Sequence, residues 1–163
     1  MKIIGYTVQG SFALPIWQRE FVMALKEYLY KTIKRILFYG DQAVHFSFAD
    51  APPLLLYHDQ DCCESVWLEA VVGEVKDLLG SPLLVAEERT QYYDASPDSY
   101  GDLEYTFYEF ATVKGSLNLC WRGESNGYYS TSVDIAVGEE TLIPLVKVGQ
   151  QYASETWVDK NEG

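Results

Sequence analysis

Residues 104–137 read EYTFYEFATVKGSLNLCWRGESNGYYSTSVDIAV, and this stretch decides the fold. Three runs rich in β-branched and aromatic side chains occupy residues 104–113, 116–121 and 128–137. Lys114-Gly115 and the segment Gly123–Gly127 join them with turn-forming residues. Leu117, Leu119 and Trp121 fall on one face of the middle run, and Val133, Ile135 and Val137 on one face of the last. That two-residue period belongs to strands with one buried side.

Working outward, the same period recurs at Ile36 and Phe38, then at Val44, Phe46 and Phe48, with Gly40-Asp41 as the turn between. Leu54–Tyr57 and residues 83–90 read as further strands, and residues 2–8 as a short opening strand. Two segments carry helical spacing instead. Trp17, Phe21, Leu25, Tyr28 and Leu29 form one stripe behind Pro15. Leu68, Val71, Val72, Val75, Leu78 and Leu79 form a second, closed by Gly80-Ser81-Pro82. Strands interrupted by two helices, without βαβ alternation, predict an α+β fold: a single domain, mainly antiparallel β-sheet with two amphipathic helices. Its expected parts are an N-terminal strand and helix extension (1–30), a core (31–149) and a polar tail (150–163) in which Trp157 is a candidate anchor. Residues 92–102, with Pro97 and Gly101, read as a loop.

The chain has 163 residues, 48% of them apolar and 15% aromatic, enough for one domain with a real core. Its charge of −12 is unevenly placed. Residues 1–40 sum to +4, residues 41–113 to −13 and residues 114–163 to −3. Such acidity argues against direct nucleic-acid binding and against an anionic membrane surface, both of which reward Lys and Arg. No apolar run of membrane-spanning length and no signal-peptide pattern occurs. Three cysteines, Cys62 and Cys63 adjacent, do not form a secreted disulfide framework, which points to a reducing cytoplasm.

Several constellations invite chemistry. Gly123-Glu124-Ser125-Asn126-Gly127 matches G-x-S-x-G. A nucleophile elbow needs a strand-to-helix turn and a downstream histidine, yet residues 128–133 read as strand and both histidines, His45 and His58, lie upstream. A glycine-bounded hairpin loop, with Asn126-Gly127 supplying positive φ, is the favoured reading. His58, Asp59, Asp61 and Cys62 are weak candidates for a metal such as zinc; adjacent cysteines and the absence of a second knuckle count against them. A capping box is favoured, with Asp61 as N-cap, Glu64 at N3, and Cys62 and Cys63 as small buried thiols in the first turn of the second helix. His45 alternates with Val44 and Phe46 and should face solvent or a polar group. No catalytic set emerges, so no catalytic residue and no cofactor is assigned.

Residues 57–66 (YHDQDCCESV) and the pair FYEFATVKG at 107–115 and WRGESNGYYS at 121–130 resemble a family of small uncharacterised domains widespread in bacteriophage genomes. The similarity covers residues 31–137, with Gly80-Ser81-Pro82 and Ala86-Glu87-Glu88 between the two blocks. The resemblance implies a phage or prophage origin and action in the bacterial cytoplasm; it implies no activity.

The leading expectation is a non-enzymatic phage accessory protein that binds and modulates a bacterial host protein, such as a defence or nucleic-acid-handling enzyme with a basic surface. Its candidate acidic face comprises Glu87, Glu88, Asp94, Asp98, Asp102, Glu104 and Glu109. The alternative is a small-molecule or nucleotide-binding protein using a polar loop of Arg122, Glu124, Ser125, Asn126, Tyr128 and Tyr129, together with Tyr92, Tyr93 and Tyr100. A metal-dependent enzyme at His58, Asp59, Asp61 and Cys62 stands third.

Overall fold

The computed structural model describes residues 2–3, 25–93, 101–151 and 158–159, with only the backbone at 2–3, 149–151 and 158–159. Ten strands and one helix appear among them: β1 (Lys2–Ile3), β2 (Ile33–Tyr39), β3 (Ala43–Phe48), β4 (Leu54–Tyr57), β5 (Ser65–Gly73), β6 (Val85–Tyr93), β7 (Asp102–Thr112), β8 (Gly115–Ser125), β9 (Asp134–Val137), α1 (Leu142–Gln151) and β10 (Val158–Asp159). Single 3-10 turns cover Val75–Leu78 and Gly138–Thr141. The strands form two five-stranded antiparallel sheets. Sheet I has the order β1-β6-β7-β8-β5 and sheet II the order β10-β2-β3-β4-β9. The single domain is therefore mainly β, with less helix than the α+β expectation.

One hydrophobic core lies between the sheets. In sheet I, alternation sends Ala86, Tyr108, Phe110, Leu117, Leu119 and Trp121 inward; in sheet II it sends Ile36, Phe38, Val44, Phe46, Leu54 and Leu56 inward. The Phe46 and Phe110 rings meet across the gap with centroids 5.0 Å apart. Leu25 and Tyr28 close one side, and the Tyr28 hydroxyl donates to the Pro52 carbonyl at 2.8 Å. Helix α1 lies on the other face of sheet II, where Leu145 and Val148 pack against Tyr39, Ala43, Leu55 and Ala136.

The predicted second helix is a strand. Residues 65–73 pair with β8 along their whole length, and a bulge sits between Leu68 and Ala70. The extra residue in the bulge restores the inward face at Val71, and the following 3-10 turn buries Val75 and Leu78. Inward positions 66, 68, 71, 75 and 78 thus imitate helical spacing, while the β-branched content favours a strand. Without that helix, the capping box has nothing to cap.

Three other expectations change. The glycine-bounded segment 123–127 is not a hairpin loop: Gly123 to Ser125 belong to β8, and residues 126–133 cross to β9 in the other sheet, although Gly127 does take a positive φ of 97°. Helix α1 was not anticipated, and β10 pairs with β2 inside the expected polar tail. Most of the first predicted helix, with Trp17 and Phe21, lies outside the described residues, as does Trp157; Leu25 and Lys26 are helical.

Phe110→Ala should cost about 3–5 kcal/mol in denaturant unfolding, the usual range for removing a buried aromatic. Val113→Ala, at a side chain 78% exposed, should change stability by less than about 0.5 kcal/mol.

Candidate functional site

The alternation that fills the core also fixes what sheet I shows on its other side. Cross-strand partners on that outer face are Trp67 with Arg122, Tyr105 with Arg122, Phe107 with Cys120, Arg89 with Phe107, and Tyr93 with Leu103. The Arg122 guanidinium lies 5.9 Å from the Trp67 ring centroid and 5.7 Å from that of Tyr105. Its Nη1 donates to the Tyr105 hydroxyl at 3.0 Å, and its Nη2 meets Glu124 Oε1 at 2.7 Å. Glu69 adds a longer ion pair at 3.6 Å. Tyr105 stacks on Phe107 at 6.2 Å and meets Tyr93 edge-on at 6.4 Å. Trp67, Tyr105, Phe107 and Arg122 are all half-buried, and Arg89 pairs with Glu109 at 3.2 Å. The result is a row of aromatic rings pinned around a fixed arginine and edged by glutamates.

The candidate acidic face is divided by the same rule. Glu87 and Glu109 are partners on the outer face, whereas Glu88, Asp102 and Glu104 share the inner side with Tyr108, Ser125 and Tyr92. Asp94 and Asp98 lie outside the described residues. Glu88 faces Tyr108, and burial pushes its pKa up to about 7, against the moderating interaction with that phenol. The two groups feel each other electrostatically, although no well-aligned hydrogen bond reaches the Tyr108 hydroxyl. Burial raises Glu104 as well.

The polar-loop candidates also separate. Arg122 and Glu124 belong to the outer face. Ser125 is buried, and its Oγ accepts from the amides of Gly127 at 2.9 Å and Tyr129 at 3.4 Å, so it braces the loop. Asn126 Oδ1 accepts from the Tyr128 amide at 3.0 Å, leaving the Tyr128 side chain 90% exposed.

A second feature sits at the edge of β5. The β4–β5 connection folds over the buried Glu64 carboxylate, whose four acceptor positions are all filled. Oε1 takes the Cys62 amide at 2.8 Å and Gln60 Nε2 at 2.9 Å; Oε2 takes the Asp61 amide and His58 Nε2, each at 3.2 Å. Burial works to raise this carboxyl's pKa, but these hydrogen bonds prevail and hold it below the ordinary Glu value. His58 Nδ1 meets the Ser132 carbonyl at 2.8 Å, so both ring nitrogens face oxygen atoms of the fold. Beside the knot opens a cavity of about 420 Å³ lined by Asp41, Gln42, His58, Gln60, Glu64, Ser65, Val66, Trp67 and Val148.

Cys62 and Cys63 are joined by a disulfide and exposed, rather than being buried thiols. Asp59 pairs with Lys147 at 3.5 Å, and its amide donates to Asp134. No three His, Cys, Asp or Glu side chains converge as a metal site among the described residues. His45 does leave the core face, but it sits between Leu37 and Leu55 with Nδ1 buried and unpartnered, and burial lowers its pKa.

Sequence reasoning missed Trp67, Tyr105, Phe107 and Arg89. The available signal was that even positions of β7 already fill the core, so aromatic residues at its odd positions must face outward.

The architecture is a two-sheet β-sandwich carrying an aromatic–arginine face and an edge cavity. Within that class the chain belongs to the family described as Domain of unknown function (DUF7448), whose model matches residues 26–135. No curated protein and no solved structure matches it. No helix among the described residues is long and apolar enough to cross a membrane.

Glu64→Ala strands buried N–H donors and the His58 ring, and should cost about 3–5 kcal/mol in denaturant unfolding, as for breaking a buried charge pair. Glu88 has the opposite pH signature. Its raised folded pKa gives stability that is full below the ordinary Glu value and lost as pH rises through about 7. Unfolding measured from pH about 5 to 8 should show a loss on the order of 3 kcal/mol that Glu88→Gln largely removes.

Proposed function

We propose that the protein is a non-enzymatic binding module that grips a partner protein through the outer face of sheet I. The observation that carries this reading is Arg122 held between Trp67 and Tyr105 at the centre of a half-exposed aromatic row. Trp, Tyr and Arg dominate the energetics of protein interfaces because they bury large areas while losing little side-chain freedom. Here the arginine is already oriented by Tyr105 and Glu124, so binding costs less ordering.

Charge suggests what is gripped. Glu69, Glu87, Glu109 and Glu124 edge this face against Arg89 and Arg122, both of which are engaged in ion pairs. The net negative rim suits a basic protein surface, for which it would speed encounter more than add affinity. The phage-domain resemblance makes a bacterial host protein in the cytoplasm the partner of choice, with modulation of that protein as the outcome. Of the candidate acidic residues this reading uses Glu87 and Glu109, and it leaves out Glu88 and Glu104, which stand on the inner side of sheet I.

The test is affinity capture from the bacterial host, comparing the intact protein with Tyr105→Ala and with Tyr128→Ala. A partner enriched by the intact protein should be retained by Tyr128→Ala and lose at least about tenfold in affinity with Tyr105→Ala, the size of an interface hot spot. Equal retention by Tyr105→Ala would remove the outer face from the account.

A further inference from the structure

The cavity at the β5 edge has a distinct chemistry. Its walls contain two carboxylates, Asp41 and Glu64, two amides, Gln42 and Gln60, the Ser65 hydroxyl, the His58 imidazole, whose two nitrogens are engaged by Glu64 and the Ser132 carbonyl, and no lysine or arginine. Both N–H donors of Gln60 and one of the two on Gln42 are already engaged. Gln42 Nε2 donates to Asp41 Oδ1 at 2.6 Å, and Gln60 Nε2 donates to the Cys62 and Glu64 carbonyls and to Glu64 Oε1. Because every partner of those two nitrogens is an acceptor, the amide orientation is fixed. What these side chains leave for a ligand is therefore richer in acceptors than in donors: the two amide oxygens and Asp41 Oδ2 against one Gln42 N–H and the Ser65 hydroxyl. Glu64 is saturated, so Asp41 is the carboxylate with capacity to spare. Val66, Val148 and the Trp67 ring add an apolar wall.

A cavity rich in acceptors, with an apolar side and no lysine or arginine, suits a group that brings several N–H donors and a positive charge on a hydrocarbon stem. Its volume lies at the small end of the usual range for ligand sites. We infer that the cavity binds an alkyl guanidinium or alkyl ammonium group, contributed by a free organic cation or by an arginine or lysine side chain. Trp67 and Ser65 stand on the outer face of sheet I and also line the cavity, so a side chain from a partner on that face reaches it directly. The inference holds for a free cation without the proposed function, and deepens that function only for the side-chain source.

The experiment is an NMR titration of the full chain with n-butylguanidinium, its neutral isostere n-butylurea, and the tripeptide amide Gly-Arg-Gly. Saturable movement of the Trp67 indole and Gln60 side-chain signals is expected at about millimolar butylguanidinium, with none for butylurea. Asp41→Asn should weaken binding at least about fivefold while the remaining spectrum stays folded. Should that variant unfold, added salt must weaken binding to the intact protein, as screening of an open charge pair requires. A tripeptide bound about tenfold tighter than butylguanidinium identifies a side chain as the source; equal affinity identifies a free cation. Absence of saturation, equal binding of butylurea, or indifference to both Asp41→Asn and salt would overturn the inference. Loss of partner capture in Tyr105→Ala with unchanged butylguanidinium binding would separate the two surfaces.

Discussion

The inward–outward alternation of β7 and β8 is the constraint on which the rest depends. Tyr108, Phe110, Leu117, Leu119 and Trp121 must enter the core together, so Tyr105, Phe107 and Arg122 must leave it together. A slip of one residue would exchange the two sets, burying an arginine and exposing the centre of the core. Gly123 shows how tightly the register is fitted. A Cβ there would overlap the Thr131 backbone, where segment 126–133 passes over the sheet. The aromatic–arginine face is thus a consequence of core packing, and its rigidity comes from the same strands.

Much of this was legible because strands announce themselves by period two, and eight of the ten strands among the described residues answer to runs read from the sequence. Of the other two, β10 lies in the expected tail, and β5 shows where periodicity misleads. A bulge and a 3-10 turn can place apolar residues at 66, 68, 71, 75 and 78, which a helix would bury as readily. The Asp61/Glu64 pairing was half correct. Glu64 does reach back to the Asp61 amide as a capping box requires, but it also collects Cys62, Gln60 and His58, contacts fixed by tertiary folding. Helix α1 was hidden by Pro144 and by a mixed apolar pattern. Its buried side chains, Leu145 and Val148, answer to Tyr39, Ala43, Leu55 and Ala136, far away in sequence.

The charge of −12 is better understood as several separate populations. Glu64 is a structural acceptor, consumed by its own loop. Glu88 and Glu104 are held against the interior at a cost that rises with pH. Glu69, Glu87, Glu109 and Glu124 edge the aromatic face, and Asp41 guards the cavity. Adjacent acids in the sequence therefore do different physical work, because strand geometry separates neighbours and joins residues many positions apart.

Side-chain footprinting of the protein alone and with its captured partner tests the binding face most directly. Hydroxyl-radical labelling followed by mass spectrometry reads the exposure of Trp67, Tyr105 and Phe107 individually, with Tyr128 as an internal reference. Protection of the first three on complex formation, with Tyr128 unchanged, is the predicted result. Protection confined to sheet II or α1, with Trp67, Tyr105 and Phe107 labelled as in the free protein, would contradict it.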